Sequence, residues 1–128
     1  MTIAEVSKKY ELSQDTLRYY ERIGLIPSVN RNKSGIRDYT EENCRWVEFV
    51  KCMRSAGLPV EILIEYVALF QQGDETTAAR KQLLTEQRSL LIEKMEEIKK
   101  TIERLDYKIE RYDQGLVEKE KELRKTKD

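Results

Sequence analysis

The chain has 128 residues, of which 38% are charged and 39% hydrophobic, and its 24 basic and 24 acidic side chains leave no net charge. This length predicts one domain, or one small domain with an extended element, and the high charged fraction favours long solvated helices. The neutral balance excludes an overall basic field, so any binding to nucleic acid must come from local placement of basic residues.

The numbers of cysteine and histidine residues limit which metal sites and catalytic sites the chain could form. The chain has two cysteines and no histidine, and it lacks metal-binding patterns such as CxxC or HExxH, so we expect no metal site and no cofactor. We also expect no enzymatic activity, because no nucleophile–base pair can be named. There is no apolar run of membrane-spanning length and no signal-peptide core, which predicts a cytoplasmic protein with reduced thiols and no membrane partner.

The first 24 residues predict two short helices. Thr2 and Glu5 have the spacing of a capping box at the start of the first helix. Ser13 suits the N-cap of a second helix that runs to about Ile23 and stops at Gly24. Two short helices joined by so tight a turn predict a helix-turn-helix motif.

The second predicted helix has two unlike sides. At about 100° per residue, Leu17 and Tyr20 fall on one side together with Glu21. The opposite, outward side consists of Asp15, Arg18, Tyr19 and Arg22. Arginine can hold phosphate or read guanine, and a tyrosine hydroxyl can hold phosphate, so this side suits the DNA major groove. Helix chemistry alone leaves open a solvated helix with ion pairs such as Arg18 to Glu21.

Residues 27–39 lose the helical period and predict a short hairpin around the turn sequence NKSG. The basic residues of this hairpin are Arg31, Lys33 and Arg37, against the single acid Asp38. A basic hairpin beside a helix-turn-helix is the winged-helix arrangement, in which the wing adds phosphate contacts. A third helix then follows from about Glu41 to Ala56, and a fourth begins near Pro59 and ends near Gln71.

The remainder predicts one long helix with a heptad seam of apolar residues. The predicted seam contains Leu84, Leu91, Met95, Ile98, Ile102, Leu105, Ile109, Tyr112 and Leu116, and continues to Leu123. It would extend for about 60 Å at 1.5 Å per residue. Because the small N-terminal part cannot bury so long a seam, we predict a homodimer through this helix rather than a charged single helix on a monomer.

Three segments of the chain resemble the MerR family of bacterial transcription regulators. They are TIAEVSKKYELSQDTLRYYERIGLI at residues 2–26, SGIRDYTEEN at residues 34–43 and FVKCMRSAGLPVEIL at residues 49–63. The resemblance covers the whole chain and implies a mainly α fold. It implies a winged helix-turn-helix DNA-binding domain with two accessory helices over residues 1–73. A long C-terminal dimerisation helix, forming an antiparallel coiled coil, would occupy residues 74–128.

The resemblance also implies double-stranded promoter DNA and RNA polymerase as partners. The candidate DNA-binding residues are Thr16, Arg18, Tyr19, Arg22, Arg31, Lys33, Arg37 and Tyr39. Carried over by position, Arg18, Tyr19 and Arg22 would contact the operator. Arg37 and Tyr39 of the wing would hold the DNA backbone. The dimer would bind a pseudo-palindrome in an overlong promoter spacer and distort it, so that specificity partly reflects the energy of deforming DNA.

The two cysteines lie on the third predicted helix. The helical projection, centred on Trp46, places Cys52 at the border of the apolar side and Cys44 on the polar side. The segment FVKCMRSAGL resembles a MerR branch that responds to aldehydes and other thiol-reactive electrophiles through one cysteine. It implies that Cys52 is a sensor, whereas residue type alone favours a small, half-buried core residue. Because no cysteine follows Cys52 and no effector-binding domain is expected, metal or drug sensing is not predicted.

Two alternatives to an electrophile-responsive regulator remain open at this point. One is a MerR-like DNA binder without a chemical effector. The other is a coiled-coil scaffold whose N-terminal helices bind protein, which would show no salt-dependent binding to promoter DNA.

Overall fold

The structure is a computed structural model that describes residues 1–126, without the side chains of residues 116, 117, 125 and 126. It is mainly helical, with one short 3₁₀ turn. The elements are α1 (Ile3–Tyr10), α2 (Gln14–Arg22), α3 (Glu41–Ser55), α4 (Val60–Gln72), the 3₁₀ turn (Asp74–Thr76), α5 (Thr77–Asp113) and α6 (Leu116–Thr126). None of the helices within residues 1–126 combines the length and the apolar character needed to cross a membrane.

The chain forms two compact units, of which the first is Met1–Gln87 and the second begins at Arg88. The first turns of α5 therefore belong to the same unit as α1–α4. The sequence interpretation divided the chain by function after residue 73, and that functional division stays a prediction.

The predicted N-caps of α1 and α2 and the predicted stop of α2 at Gly24 are confirmed. The Glu5 amide donates to Thr2 Oγ1 at 3.1 Å, and the Thr2 amide donates to a Glu5 carboxylate oxygen at 2.9 Å, which completes the capping box. The Thr16 amide donates to Ser13 Oγ at 3.0 Å and caps α2. Gly24, with φ of +82°, follows α2 in a conformation that favours glycine.

One apolar core joins α1–α4 and the segment after α2. Its buried members include Val6, Leu17, Leu25, Ile26, Val47, Val50, Leu63 and Val67. Tyr20 is also buried, whereas Tyr19 is 41% exposed, as the sequence predicted. Because Leu17 and Tyr20 anchor one side of α2 in this core, the opposite side of the helix is held towards solvent.

The predicted hairpin forms as a turn with an isolated antiparallel bridge between Arg31 and Arg37, rather than as two regular strands. The side chain of Asn32 explains the difference, since its Oδ1 accepts the amides of Ser34 and Ile36 at 2.9 and 3.0 Å. A side-chain acceptor thus takes donors that a strand ladder would use. We call residues 29–38 the wing.

The prediction of a single helix to the end of the chain is wrong. α5 runs without interruption for 37 residues and ends at Asp113. Gly115 then adopts φ of +93° and separates α5 from α6, which is the usual way for glycine to end a helix. Of the predicted seam, the residues from Leu84 to Tyr112 lie on α5, whereas Leu116 and Leu123 belong to α6. The side chain of Leu116 lies outside the described residues.

Candidate nucleic-acid interface

The outward side of α2 carries the predicted arginines and Tyr19, arranged as two local pairs. Arg18 Nη1 lies 3.1 Å from Asp15 Oδ1, and the Arg22 guanidinium carbon lies 5.6 Å from the centre of the Tyr19 ring. The alternative ion pair between Arg18 and Glu21 is therefore wrong. Arg18, Tyr19 and Arg22 are all exposed on one side of the helix, where they could reach phosphates and base edges together.

Thr16 lies in the first turn of α2 and is half-buried. Its Oγ1 accepts a hydrogen bond from Ser13 Oγ at 2.8 Å, so its hydroxyl takes part in the start of the helix. The structure places Thr16 on the same helix as the predicted DNA-binding arginines, and its contact with DNA stays a prediction.

The wing carries exposed basic side chains at its turn. Arg31 Nη1 donates to the Gly35 carbonyl at 2.9 Å, which is a neutral acceptor rather than a carboxylate. Lys33 is exposed at the tip, and the neighbouring Ile36 is 55% exposed. The predicted basic hairpin thus presents two cations to solvent, in positions suited to a phosphate backbone.

Arg37 differs from the other wing cations because it is committed to an acidic partner on α2. Its Nε donates to Glu21 Oε1 at 2.7 Å, and the side chains of Arg37 and Glu21 are only 23% and 14% exposed. The other carboxylate oxygen of Glu21 accepts the Val29 amide at 2.9 Å. Sequence reasoning placed Glu21 on the inward side of α2 but missed these contacts.

The Glu21 carboxyl is held in its charged form. Burial alone would raise its pKa, but the hydrogen bonds from Arg37 and the Val29 amide, together with the charges of Arg37 and Arg31, outweigh burial and lower the pKa below its ordinary value. Glu21 is therefore ionised at neutral pH, and its bond to Arg37 is a charge-assisted one.

Tyr39 is a core residue, which corrects the expectation of a surface tyrosine at the wing. It is 2% exposed, and burial raises the pKa of its hydroxyl, which is therefore neutral at physiological pH. That hydroxyl is buried without a hydrogen-bond partner within residues 1–126. A contact between Tyr39 and the DNA backbone stays a prediction and would require the covering side chains to move.

Local charge at this interface differs from the neutral balance of the chain. Residues 15–39 contain five basic and three acidic side chains. The acids are Asp15, which pairs with Arg18, Glu21, which pairs with Arg37, and Asp38, which lies 3.1 Å from the terminal amine. The acids of this region are thus paired, and cations such as Arg22, Arg31 and Lys33 dominate the outward surface. This surface can bind a polyanion.

The burial of the two cysteines is opposite to the sequence projection. Cys44 is buried and Cys52 is exposed. The projection was centred on Trp46, whereas α3 packs into the core through the side that carries Val47 and Val50. Cys44 lies on that side and Cys52 does not. Within residues 1–126, no group of three or more His, Cys, Asp or Glu side chains is placed to hold a metal ion.

The basic neighbours of Cys52 are directed away from it. Lys51 Nζ donates to the Tyr10 carbonyl, and Arg54 Nη1 donates to the Leu58 carbonyl at 2.6 Å. The feature that sets Cys52 apart from Cys44 is therefore its accessibility.

A second side of α3 forms an aromatic surface with α4, which sequence reasoning missed. It consists of the half-exposed rings of Trp46, Phe49, Tyr66 and Phe70 around a hollow of about 300 Å³. Trp46 lies 5.0 Å from Phe70 and 5.8 Å from Tyr66, measured between ring centres. The i, i+3 spacing on α3 and the i, i+4 spacing on α4 were the available signal; the sequence projection is centred on Trp46 and does not include Tyr66 or Phe70.

Comparison with known proteins agrees with this geometry. The family model described as "MerR HTH family regulatory protein" matches residues 1–68, and that described as "MerR, DNA binding" matches residues 44–107. The HTH-type transcriptional regulator AdhR of Bacillus subtilis (strain 168) is 59% identical over 93 residues. That match covers 73% of this chain and 66% of AdhR, just under two thirds of its length.

Two solved structures are similar over most of the chain. A MerR family transcriptional regulator from Listeria monocytogenes has a TM-score of 0.89 and 46% identity, covering 97% of this chain and 94% of its own. The structure of HiNmlR, described as a MerR family regulator lacking the sensor domain and bound to promoter DNA, has a TM-score of 0.80 and 27% identity. It covers 88% of this chain and 90% of its own.

The orphan hydroxyl of Tyr39 generates a prediction about stability. We expect Tyr39→Phe to leave the free energy of unfolding unchanged, or to raise it by up to about 1 kcal/mol, because it removes a buried hydroxyl without a partner. The control Tyr39→Leu removes the ring and should cost about 2–4 kcal/mol through the cavity it leaves. Urea unfolding measures both. A loss of more than about 1 kcal/mol in Tyr39→Phe would show that the hydroxyl has a partner in the free protein.

Proposed function

The chain belongs to the MerR family of DNA-binding transcription regulators, and from this premise we propose that it acts as a homodimer that distorts promoter DNA in response to thiol-reactive electrophiles. Its relatives are transcriptional regulators rather than enzymes, as the sequence predicted. A DNA partner and two free cysteines favour the cytoplasm as its location.

The outward side of α2 is the observation that carries the DNA-binding part of the proposal. Leu17 and Tyr20 hold α2 in the core, so Arg18, Tyr19 and Arg22 face solvent together. The wing adds Arg31 and Lys33 beside this helix. The promoter-bound structure of HiNmlR, similar over 88% of this chain, supports the same use of these elements here.

Promoter distortion and contact with RNA polymerase form the next step of the proposal. Two copies related by two-fold symmetry would place two α2 helices on a pseudo-palindrome. Bending and untwisting the promoter spacer would bring the two polymerase-binding elements onto one side of the DNA. This is indirect readout, because the energy depends on how easily the spacer sequence deforms.

Replacing Arg22 by methionine tests the DNA-binding surface. On a fragment taken from upstream of the protein's own gene, we expect Arg22→Met to lower affinity. If both copies of Arg22 neutralise phosphate, the slope of log K against log salt should fall by about 1.8 per dimer. Arg88→Met, at an exposed position of α5, is the matched control and should keep the slope. Footprinting of the wild type should show a protected near-palindrome within a promoter spacer. An unchanged slope and affinity in Arg22→Met would contradict the assignment.

The unpartnered seam of α5 supports the homodimer. The seam residues from Met95 to Ile109 are half or more exposed in the single chain: Met95 56%, Ile98 55%, Ile102 50%, Leu105 56% and Ile109 58%. Tyr112 is 44% exposed. Leu84 and Leu91 are half-buried. A second copy of α5 packed on this row would remove the apolar side chains from water. This burial would stabilise the dimer by about 25 cal/mol per Å² of apolar surface buried.

The aromatic surface on α3 and α4 supports the same assembly. The Arg80 guanidinium, on the first turn of α5, lies 5.5 Å from the centre of the Phe70 ring, so the aromatic surface adjoins the beginning of α5. In an antiparallel pair, the end of the partner's α5 would approach this beginning. Large half-exposed aromatic rings, such as Trp46 beside Phe70, are enriched in the centres of protein interfaces.

Two lysine substitutions on α5 test the dimer. We expect Ile102→Lys to weaken self-association at least about tenfold, because it places a charge in the proposed seam. Tyr107→Lys is the control, since Tyr107 is 62% exposed in the single chain but lies off the seam. Sedimentation velocity over a dilution series measures both. Equal dissociation constants for the two variants would rule out the seam as the interface.

The exposure of Cys52 supports its role as the sensor. An aldehyde is attacked at its carbonyl carbon by the Cys52 thiolate, which forms a carbon–sulfur bond while the carbonyl π electrons move to oxygen. The oxygen then takes up a proton to give a hemithioacetal, and no oxidant is needed. Because Cys52 lies on α3, which packs against α1, and α1 in turn packs against α2, an adduct there could bias how the DNA-binding elements are held.

The sensor assignment is tested by transcription in vitro with RNA polymerase and formaldehyde. We expect Cys52→Ser to keep operator affinity within about twofold and to lose induction by formaldehyde. Cys44→Ala is the control, because it removes the buried thiol and should leave induction intact. Induction of Cys52→Ser at the wild-type level would contradict the proposal and favour the second candidate, a MerR-type DNA binder without a chemical effector.

A further inference from the structure

We propose that Glu21 is a positioning residue that fixes both arms of the wing against α2, and that Arg37 acts on DNA through this contact rather than as a phosphate ligand. The inference rests on the proposed DNA binding. It assigns a role to Glu21, and it changes the role of Arg37 from a direct contact to an anchor of the wing.

The carboxylate of Glu21 accepts hydrogen bonds from both arms of the wing, that is, from the chain before and after its turn. Oε2 of Glu21 accepts the amide of Val29, which begins the wing, and Oε1 accepts Nε of Arg37, which lies near its end. Because the chain reverses between these two residues, a single side chain of α2 connects the helix to both arms.

The wing needs such an anchor because its own hydrogen bonding is sparse. Its two arms meet in an isolated bridge, supported by the Asp38 amide donating to the Asn30 carbonyl at 2.7 Å and by the Asn32 amide donating to the Ile36 carbonyl at 2.8 Å. A two-stranded ribbon of this size is marginal on its own. Contacts to another element must therefore fix its direction.

The charges on the wing fall into two classes. Arg37 is mostly buried and already makes a charge-assisted hydrogen bond to Glu21, so a phosphate would have to compete with an acceptor of the same kind. Arg31 is exposed and donates to a neutral carbonyl, and Lys33 is exposed at the tip. Arg31 and Lys33 are therefore suited to contact phosphate, whereas Arg37 is suited to hold the wing in position.

Four variants of the full chain test the inference on the same promoter fragment over a range of salt concentrations: Glu21→Gln, Arg37→Met, the double variant and Arg31→Met. An amide offers one acceptor oxygen where the carboxylate offers two, so Glu21→Gln cannot hold both arms. We expect each single change at the pair to lower operator affinity about tenfold, in line with the loss of a hydrogen bond to a charged group. The double variant should lose no more operator affinity than the more affected of the two single variants.

The salt slope distinguishes positioning from direct contact. Glu21→Gln and Arg37→Met should keep the wild-type slope, because neither removes a phosphate contact. The control Arg31→Met should lower it by about 1.8 per dimer. A slope reduced in Arg37→Met as in Arg31→Met, with an effect on affinity that adds to that of Glu21→Gln, would overturn the inference.

Amide hydrogen exchange of the DNA-free protein keeps this test separate from the proposed function. In Glu21→Gln and Arg37→Met, the Asp38 amide should exchange at least about tenfold faster, while the Val50 amide in the core of α3 should keep its rate. An unchanged exchange rate of the Asp38 amide in both variants would overturn the anchoring role of Glu21, whatever their affinity for DNA. If the wild type shows no salt-dependent promoter binding, the proposed function fails, and the exchange result still decides whether Glu21 holds the wing.

Discussion

Burial of Leu17 and Tyr20 in the core of α1–α4 is the contact on which the interface depends. α2 is a short helix of nine residues, too short to be stable alone, so tertiary packing rather than helix propensity fixes it. Because Leu17 and Tyr20 are buried in the core, the rotation of the helix about its axis is set, and Arg18, Tyr19 and Arg22 must share the outward side. A chain without net charge can therefore bind DNA through basic residues that are placed together on one side of α2.

The same helix also sets the position of the wing. Its inward side ends at Glu21, which lies at the edge of the core where a carboxylate is only partly desolvated. Burial there would penalise the charge, and the bonds from Arg37 and the Val29 amide compensate for it. A single helix therefore carries both the proposed DNA-binding surface and the carboxylate that contacts the wing at Val29 and Arg37, so the proposed anchor would fix the spacing between α2 and the wing in the free protein.

Local signals in the sequence predicted most of the architecture. The pairs of Thr2 with Glu5 and Ser13 with Thr16 act within one turn, so capping chemistry could be read directly. The isolated bridge of the wing, the contact of Glu21 with Arg37 across 16 residues and the orphan hydroxyl of Tyr39 depend on tertiary packing, which no local pattern encodes. Gly115 is a helix terminator visible in the sequence, but the heptad repeat continues past it to Leu123 and predicts an unbroken helix.

α3 shows why a helical projection can assign the right periodicity and the wrong side. Its apolar residues fall on two sides, one with Val47 and Val50 in the core and one with Trp46 and Phe49 in the aromatic surface. A projection centred on Trp46 moved the core by about one residue, or 100°, and exchanged the predicted environments of Cys44 and Cys52. The packing that buries Cys44 leaves Cys52 on a third side. The helix therefore joins the core, the proposed dimer contact and an accessible thiol, so that the proposed chemistry at Cys52 would act on an element that both contacts share.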